Sequence, residues 1–498
     1  MTELDPYKIQ KELSEFIKKK YGSDAVPFVD VDDSDKQEPY YRDEDYPDID
    51  FDITPKELSA YLDKYVINQK EAIDILSTKV CTHFHRIKYL KTHPHASRKL
   101  IGNVKNNILM IGPTGVGKTF IIKLIADKLG VPFVKADATK FSETGYVGKD
   151  VEDIIRDLVK EADGNIKLAE IGIVYIDEID KIASSRNLAG PDVSRTGVQR
   201  NLLKLMEETE VNLKVPHDIA SQMEALMEIQ RSGKLKKEKI NTKNILFIVS
   251  GAFDGLADII KRKKSKQGIG FTGSLTSEKE KVEYIKLVEN DDLIEYGFES
   301  EFIGRLPVKT VLNYLTEDDL FQILKNPESS IINSKKLDFA SYGINIKFTD
   351  DALRYYAKLA AKEKTGARAL VSVIEKSLIN YEKELPSYDI KDFYVTLEIA
   401  QNSNVEIKKV KFLSALYKFI DEYQNTYNIT MEFTDDAREY LYEKSDEIED
   451  VLEYLHNIFK GYEYGLNLLK LNKFTITGEV ISKPQEYLTS LIKKSYEK

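Results

Sequence analysis

Asn107-Ile108-Leu109-Met110-Ile111-Gly112-Pro113-Thr114-Gly115-Val116-Gly117-Lys118-Thr119-Phe120 is the stretch whose reading decides the fold. Ile108 to Ile111 is a short apolar run and reads as a buried strand. Gly112 to Thr119 fits G-x-x-x-x-G-K-[ST] in full. Its glycines let the backbone curl so that N–H groups point inward at phosphate oxygens. Lys118 is then placed to reach the β- and γ-phosphates, and the Thr119 hydroxyl to ligate Mg²⁺. The helix beginning at Thr119 adds the positive end of its dipole to the same anion. The candidate nucleotide-binding residues are therefore Gly112, Pro113, Thr114, Gly115, Val116, Gly117, Lys118, Thr119 and Phe120. A chance glycine-rich turn is the bland alternative, and the strand before and helix after weigh against it.

Outward from this loop, apolar runs alternate with helical patterns from Asn107 to about Val308: NILMI, PFVKAD, IGIVYIDE and NILFIVSG. That rhythm predicts an α/β fold, a parallel sheet with helices on both faces and the nucleotide at the carboxyl ends of the strands. Ile173-Val174-Tyr175-Ile176-Asp177-Glu178 ends in two carboxylates about 60 residues beyond the phosphate loop. Asp177 is expected to hold Mg²⁺, directly or through water, and Glu178 to polarise the attacking water. A salt-bridged strand end is the competing reading. Gly145-Tyr146-Val147-Gly148 sets an aromatic between glycines, either as an exposed loop with a task or as a pair packed beneath it.

The chain has 498 residues, enough for about three domains. A net charge of −10 argues against general nucleic-acid binding, which favours a basic face. One cysteine, Cys81, excludes an internal disulfide and suits a reducing compartment. MTELDPYKIQ has no signal pattern, and no apolar run approaches a membrane span. The expectation is a cytoplasmic protein without membrane or nucleic-acid partners.

Residues 1–53 read as a separate piece, with a short helix over Asp5 to Tyr21 and an acidic run from Asp30 to Asp52. That run is either a solvated linker or an acidic docking arm. Thr54, Pro55 and Glu57 open a helix with a capping box, and Tyr65 to Gln69 separates it from a second one. Cys81, His83, His85, His93 and His95 invite a metal reading. The first three fall on different faces of a helix and no CxxC accompanies them, so no zinc site is expected.

From about Thr54 to Leu397 the motifs resemble the ClpX family, hexameric AAA+ protein unfoldases that serve the ClpP peptidase. The matching residues are Tyr65-Val66-Ile67, GPTGVGKT, Gly145 to Gly148, IDEIDKIA from Ile176, GVQRNLLKLMEET, NILFIVSGAF, Ile269-Gly270-Phe271, EFIGRLPV and Lys364-Thr365-Gly366-Ala367-Arg368. The resemblance implies that Val66 and Ile67 lie against adenine, that Tyr146 and Val147 form a pore loop gripping polypeptide, and that Arg305 is an arginine finger given to a neighbour's ATP. It implies Arg368 as a sensor-2 arginine acting in cis, Ser250 at the sensor-1 position, and Ile269, Gly270 and Phe271 as a loop docking on the peptidase. Read without the family, Arg305 and Arg368 fit ordinary ion-pair arginines. Ile269 and Phe271, between the basic run KRKKSKQ and a Ser/Thr-rich stretch, suit an exposed hydrophobic anchor, with tucking into the body as the alternative.

The expected domains are a large ATPase domain over 54–315, a small, mainly helical α+β domain over 316–400, and an extra domain over 401–498. The family's Cys₄ zinc-binding domain is not in this sequence. Val215 to Ile240, the second pore loop by resemblance, is expanded and includes a helical pattern. Ile344 to Leu397 reads as helices followed by a strand, FYVTLE. In the extra domain, Ile429 to Tyr440 echoes Ile344 to Tyr355, and FTIT at Phe474 echoes YVTL at Tyr394. Either the small domain is duplicated, with Val451-Leu452-Glu453 replacing Gly366-Ala367-Arg368, or a short strand-turn-helix motif recurs by chance.

The implied function is an ATP- and Mg²⁺-dependent unfoldase, a homo-hexameric ring acting on unfolded or tagged proteins and delivering them to a ClpP-like peptidase. The alternatives are a stand-alone remodelling chaperone, a nucleic-acid motor disfavoured by charge, and a non-hydrolysing scaffold disfavoured by the Asp177-Glu178 pair.

Overall fold

The computed structural model describes residues 51–93, 105–141, 150–184, 193–213, 239–267, 277–402, 404, 406–448 and 450–496. Tyr146, Val147, Ile269, Gly270, Phe271, His95, the expanded Val215 segment up to residue 238 and the acidic run before residue 51 lie outside the described residues.

Among the described residues, seven strands belong to the first part: β1 (Ile108–Ile111), β2 (Phe133–Asp137), β3 (Ile173–Asp177), β4 (Glu210–Asn212), β5 (Lys239–Asn241), β6 (Leu246–Gly251) and β7 (Val308–Val311). Five of them form an all-parallel sheet in the order β2-β3-β6-β1-β7, while β4 and β5 make a short antiparallel hairpin. The edge strand β7 was not marked by the sequence pattern, which stopped at Val308. It is four residues long, and only half of it is buried.

Side chains alternate faces along a strand, and the core divides accordingly. Ile108, Met110, Ile173, Tyr175, Leu246 and Ile248 pack with the helices Lys70–Thr92 and Lys118–Leu129. Leu109, Ile111, Val174, Ile176, Phe247 and Val249 pack on the opposite side with the helices Asp153–Glu161 and Val193–Met206. A sheet covered on both faces needs strands apolar at every position, which is why β1 reads ILMI without alternation. Among the described residues, no helix is long and apolar enough to cross a membrane.

Helix ends follow local chemistry. Thr54 and Glu57 form the capping box of Pro55–Leu62. The phosphate-loop helix Lys118–Leu129 runs between two left-handed glycines, Gly117 (φ 97°) and Gly130 (φ 65°), which L side chains seldom replace without strain.

Beyond β7 the first core continues into a smaller unit. Strands β8 (Asn345–Phe348) and β9 (Asp392–Val395) pair in parallel around the helices Asp350–Glu363 and Ala367–Glu384. The expected strand over FYVTLE is shorter than its sequence suggests, because Thr396 leaves the ladder to cap the helix Leu397–Gln401. A third unit repeats this arrangement with β10 (Thr430–Phe433) and β11 (Lys473–Ile476), again parallel. Equivalent hydrogen bonds recur: Thr349 N–H donates to the Val395 carbonyl at 3.1 Å, and Thr434 N–H to the Ile476 carbonyl at 3.0 Å. The long helix Ile407–Tyr427 lies between the two units. Its Lys418 pairs with Asp392 at 2.6 Å, and its Asp421 accepts from Lys347 and Tyr394.

Candidate nucleotide-binding site

The phosphate loop leaves the carboxyl end of β1, where Gly112 N–H donates to the Gly251 carbonyl at 3.1 Å. Close packing fixes its path, since a Cβ on Gly112 would lie 2.8 Å from the Leu312 Cβ. Gly115 adopts φ +77°, and a Cβ there would fall 2.0 Å from the Thr365 carbonyl oxygen. The loop is thus pressed directly against the turn that precedes the helix Ala367–Glu384. Ala367 N–H donates to the Gly115 carbonyl at 2.9 Å.

A cavity of about 410 Å³ opens over this loop. Val66 and Ile67, Thr114 to Phe120, Asp177, Glu178 and Arg368 all line it. Its apolar end is built from Val66, Ile67, Leu315, Ile323, Ile331 and Val371, and its polar end from the loop and the carboxylates. That division suits a ligand with a flat apolar base at one end and an anion at the other. The segment carrying Val66 and Ile67 is clamped by Gln69, whose side-chain amide donates to the Asn313 carbonyl (3.0 Å) and accepts from Asn313 N–H (2.7 Å). Asn313 joins the sheet to the smaller unit, so the base end of the cavity rests on that hinge.

Lys118 turns its ammonium onto the loop itself, donating to the carbonyls of Gly112 at 2.6 Å and Pro113 at 2.9 Å. Burial lowers its pKa, opposed by the charges of Asp177 and Asp180. Asp177 accepts from Ser250 Oγ (2.7 Å) and from Glu178 N–H (3.1 Å) through Oδ1. Its other oxygen lies 3.3 Å from Thr119 Oγ1 and 3.3 Å from the Lys135 ammonium. Burial would raise the Asp177 pKa, but the Ser250 hydrogen bond and the Lys135 charge outweigh it and hold the carboxyl below its ordinary range. Ser250 also shares a 2.6 Å hydrogen bond with Tyr175 OH, which lies 3.2 Å from Thr119 Oγ1. Burial pushes the Tyr175 pKa upward, so the phenol stays protonated and donates.

Glu178 carries φ 57° and ψ 33°, a left-handed conformation that is uncommon for a residue other than glycine. Strain of this kind is retained where the surroundings fix it, here by the close of β3 and the turn Ile179–Ile182. The Asp180 side chain is 1 % exposed, and Lys181 Nζ lies 3.4 Å from its Oδ2. A Cβ on Gly251 would meet Asp180 Oδ1 at 2.3 Å.

Arg305 does not line the cavity. It caps the helix Ser300–Gly304 and precedes β7, whose Val308 pairs with Ile108 at the start of β1. The phosphate loop follows Ile111, at the other end of that strand pair. Strand length alone separates the two by roughly 10 Å. Arg305 instead pairs with Glu207 at 2.5 Å and is half exposed.

Several lining residues carried no motif. Leu315, Ile323 and Ile331 look like core in sequence, and only the folding-back of the smaller unit brings them over the loop. Tyr175 had a period-2 signal, since it shares a strand face with Asp177; Lys135 joins them only through the β2–β3 register. In the third unit the helix Val451–Ile458 starts after Asp450. The second helical position, held by Arg368 in Ala367–Glu384, is therefore occupied by Leu452, one residue earlier than the alignment on Glu453. His83 and His85 of the cysteine-histidine group take separate partners. Cys81 is buried, His83 Nε2 bonds the Asn244 carbonyl at 2.9 Å, and His85 Nε2 the Ile53 carbonyl at 3.1 Å.

Residues 103–309 match the family model of the AAA domain (Cdc48 subfamily), and residues 315–384 that of the C-terminal, D2-small domain of ClpB protein. The ATP-dependent Clp protease ATP-binding subunit ClpX of Treponema denticola is 40% identical over 365 residues, which cover 72% of this chain and 84% of that protein. The proteins of the same description from Borrelia duttonii and Borrelia recurrentis are each 41% identical over 361 residues, covering 71% of this chain and 80% of theirs.

Proposed function

This chain belongs to the ClpX family of AAA+ ATPases, and on that premise we propose that it is an ATP-driven protein unfoldase and translocase. The observation that carries this reading is the cavity's dual ownership. Loops of the parallel sheet form one wall and the helix bearing Arg368 the other, and the Ala367–Gly115 hydrogen bond joins them. A ligand held between two units biases the angle between them, the kind of two-state motion that performs mechanical work.

The phosphates would sit on the N–H groups from Thr114 to Thr119, with Lys118 leaving its loop carbonyls for them and Arg368 closing from the smaller unit. Pro113 has no N–H, and that of Gly112 is held by the Gly251 carbonyl. Thr119 and Asp177 fit Mg²⁺. Both are hard oxygen donors, they converge to 3.3 Å, and the Lys135 ammonium already stands beside both as a stand-in cation. When bound, the metal supplies charge neutralisation at the transferred phosphoryl group. Glu178 orients the attacking water and takes its proton.

Arg305 is read as the finger for the ATP of a neighbouring subunit, because its own phosphate loop lies at the far end of the sheet. That role requires assembly, and a homo-hexameric ring is the family's form. Tyr146 and Val147 would face the pore and pull the polypeptide, while Ile269, Gly270 and Phe271 would dock a ClpP-like peptidase in the cytoplasm. The third unit is read as a degenerate second copy of the small domain. Its Leu452 cannot contact phosphate, so its task is structural or partner-binding.

Tyr146→Ala tests the pore. ATP turnover should persist while unfolding of a tagged substrate falls at least tenfold; unimpaired unfolding would reject the assignment. Deleting Ile269 to Phe271 separates a protease motor from a stand-alone remodeller, since a remodeller keeps its full activity without the loop.

A further inference from the structure

The sheet brings one more charge to the corner formed by Thr119 and Asp177. Lys135 of β2 pairs in register with Tyr175 of β3, and Asp137 with Asp177. Residues two apart on a strand share a face, so Lys135 points to the same side as Tyr175 and Asp177. Its ammonium lies 3.3 Å from Asp177 Oδ2, 3.3 Å from Thr119 Oγ1 and 6.0 Å from the centre of the Tyr175 ring.

The partners of Asp177 make this position consequential. Oδ1 already accepts from Ser250 Oγ and from Glu178 N–H. Oδ2 is the oxygen left for a cation, and Lys135 stands at it. A metal ligated by both Oδ2 and the Thr119 hydroxyl would need the space that the ammonium now fills. The Lys135 side chain is 44 % exposed against 15 % for Asp177. It can therefore swing out to water, and an ion pair with one exposed partner is weak enough to be broken.

We propose that Lys135 is a resident counter-cation of the metal corner, holding Asp177 and Thr119 in the nucleotide-free chain and competing with Mg²⁺ for Asp177 Oδ2. Lys135 is thus a positioning residue that sets how much Mg²⁺ is needed to retain nucleotide. The inference rests on the reading of Thr119 and Asp177 as the metal-binding pair. Two cations at one carboxylate oxygen repel one another, so whatever tightens one loosens the other by the same factor.

Binding of a fluorescent ADP, N-methylanthraniloyl-ADP, to the full chain tests this when titrated with MgCl₂ at fixed nucleotide. Lys135→Met and Lys135→Gln should each lower the half-saturating Mg²⁺ concentration by roughly fivefold. Lys135→Arg, which keeps the charge, should stay near the parent value, and thermal melting without nucleotide checks that each variant is folded. An unchanged or raised midpoint in both neutral variants, with Mg²⁺-dependent binding intact in the parent, would overturn the proposal alone. Parent binding indifferent to Mg²⁺ would overturn the metal assignment, and the proposal with it.

Discussion

Ala367 N–H donates to the carbonyl of Gly115 at 2.9 Å. The first residue of the helix that carries Arg368 is thereby bonded to the loop that carries Lys118. Contact this close leaves no room for a side chain, because a Cβ on Gly115 would lie 2.0 Å from the Thr365 carbonyl oxygen at a backbone φ of +77°. Gly115→Ala should cost about 1–3 kcal/mol of stability and loosen the smaller unit. Calorimetry should show a lowered Tm, and nucleotide binding should weaken at least tenfold.

On the proposed reading, the carboxylates and the lysine have separable roles. Lys118→Ala should abolish nucleotide binding. Glu178→Gln should keep binding and reduce turnover by about 10²–10⁴-fold, the usual contribution of a general base. Equilibrium binding and phosphate release on the same preparations check both, and normal turnover in Glu178→Gln would reject the base.

Arg305 lies at the strand end away from its own phosphate loop. Arg305→Ala should therefore bind nucleotide normally and hydrolyse it about 10³-fold more slowly. Mixing Arg305→Ala with Lys118→Ala subunits should restore part of the turnover, since each supplies what the other lacks. A mixture as inactive as its components would contradict action between subunits.

His83 supplies a pH dependence. Burial, aided by the charges of Arg86 and Lys105, pushes its imidazole down to about 4, against the hydrogen bond it donates to the Asn244 carbonyl. An unfolded histidine titrates near 6.5, so between the two values the unfolded chain binds more protons. Stability is then full above about pH 6.5 and falls as the pH drops toward 4, by at most about 3 kcal/mol. His83→Gln keeps a donor for the Asn244 carbonyl and does not titrate. Denaturant unfolding from pH 4.5 to 7 should show a flatter profile in that variant.

The phosphate-loop end of the cavity was legible in sequence because its chemistry is local. Gly112 to Thr119 is contiguous, and Asp177 and Glu178 end an unbroken apolar strand. The apolar end was less so. Val66 and Ile67 were reached through family resemblance, while Leu315, Ile323 and Ile331 had no local mark, because their role depends on one unit folding back over another. Edge strand β7 escaped for a physical reason as well, being short and half exposed. Thr396 shows the limit of propensity, since a β-branched residue in a strand-like run caps a helix instead. Lys135 reads as an ordinary surface lysine until the β2–β3 register places it beside Asp177.

The central claim, that nucleotide turnover drives protein unfolding, is tested most directly with a tagged, folded fluorescent protein. The purified chain and ATP are supplied with and without a ClpP peptidase, with Glu178→Gln as the control. ATP-dependent loss of fluorescence, absent in Glu178→Gln and accompanied by peptide release when the peptidase is added, is the predicted result. Sustained ATP hydrolysis with fluorescence unchanged across several tagged substrates would contradict the account.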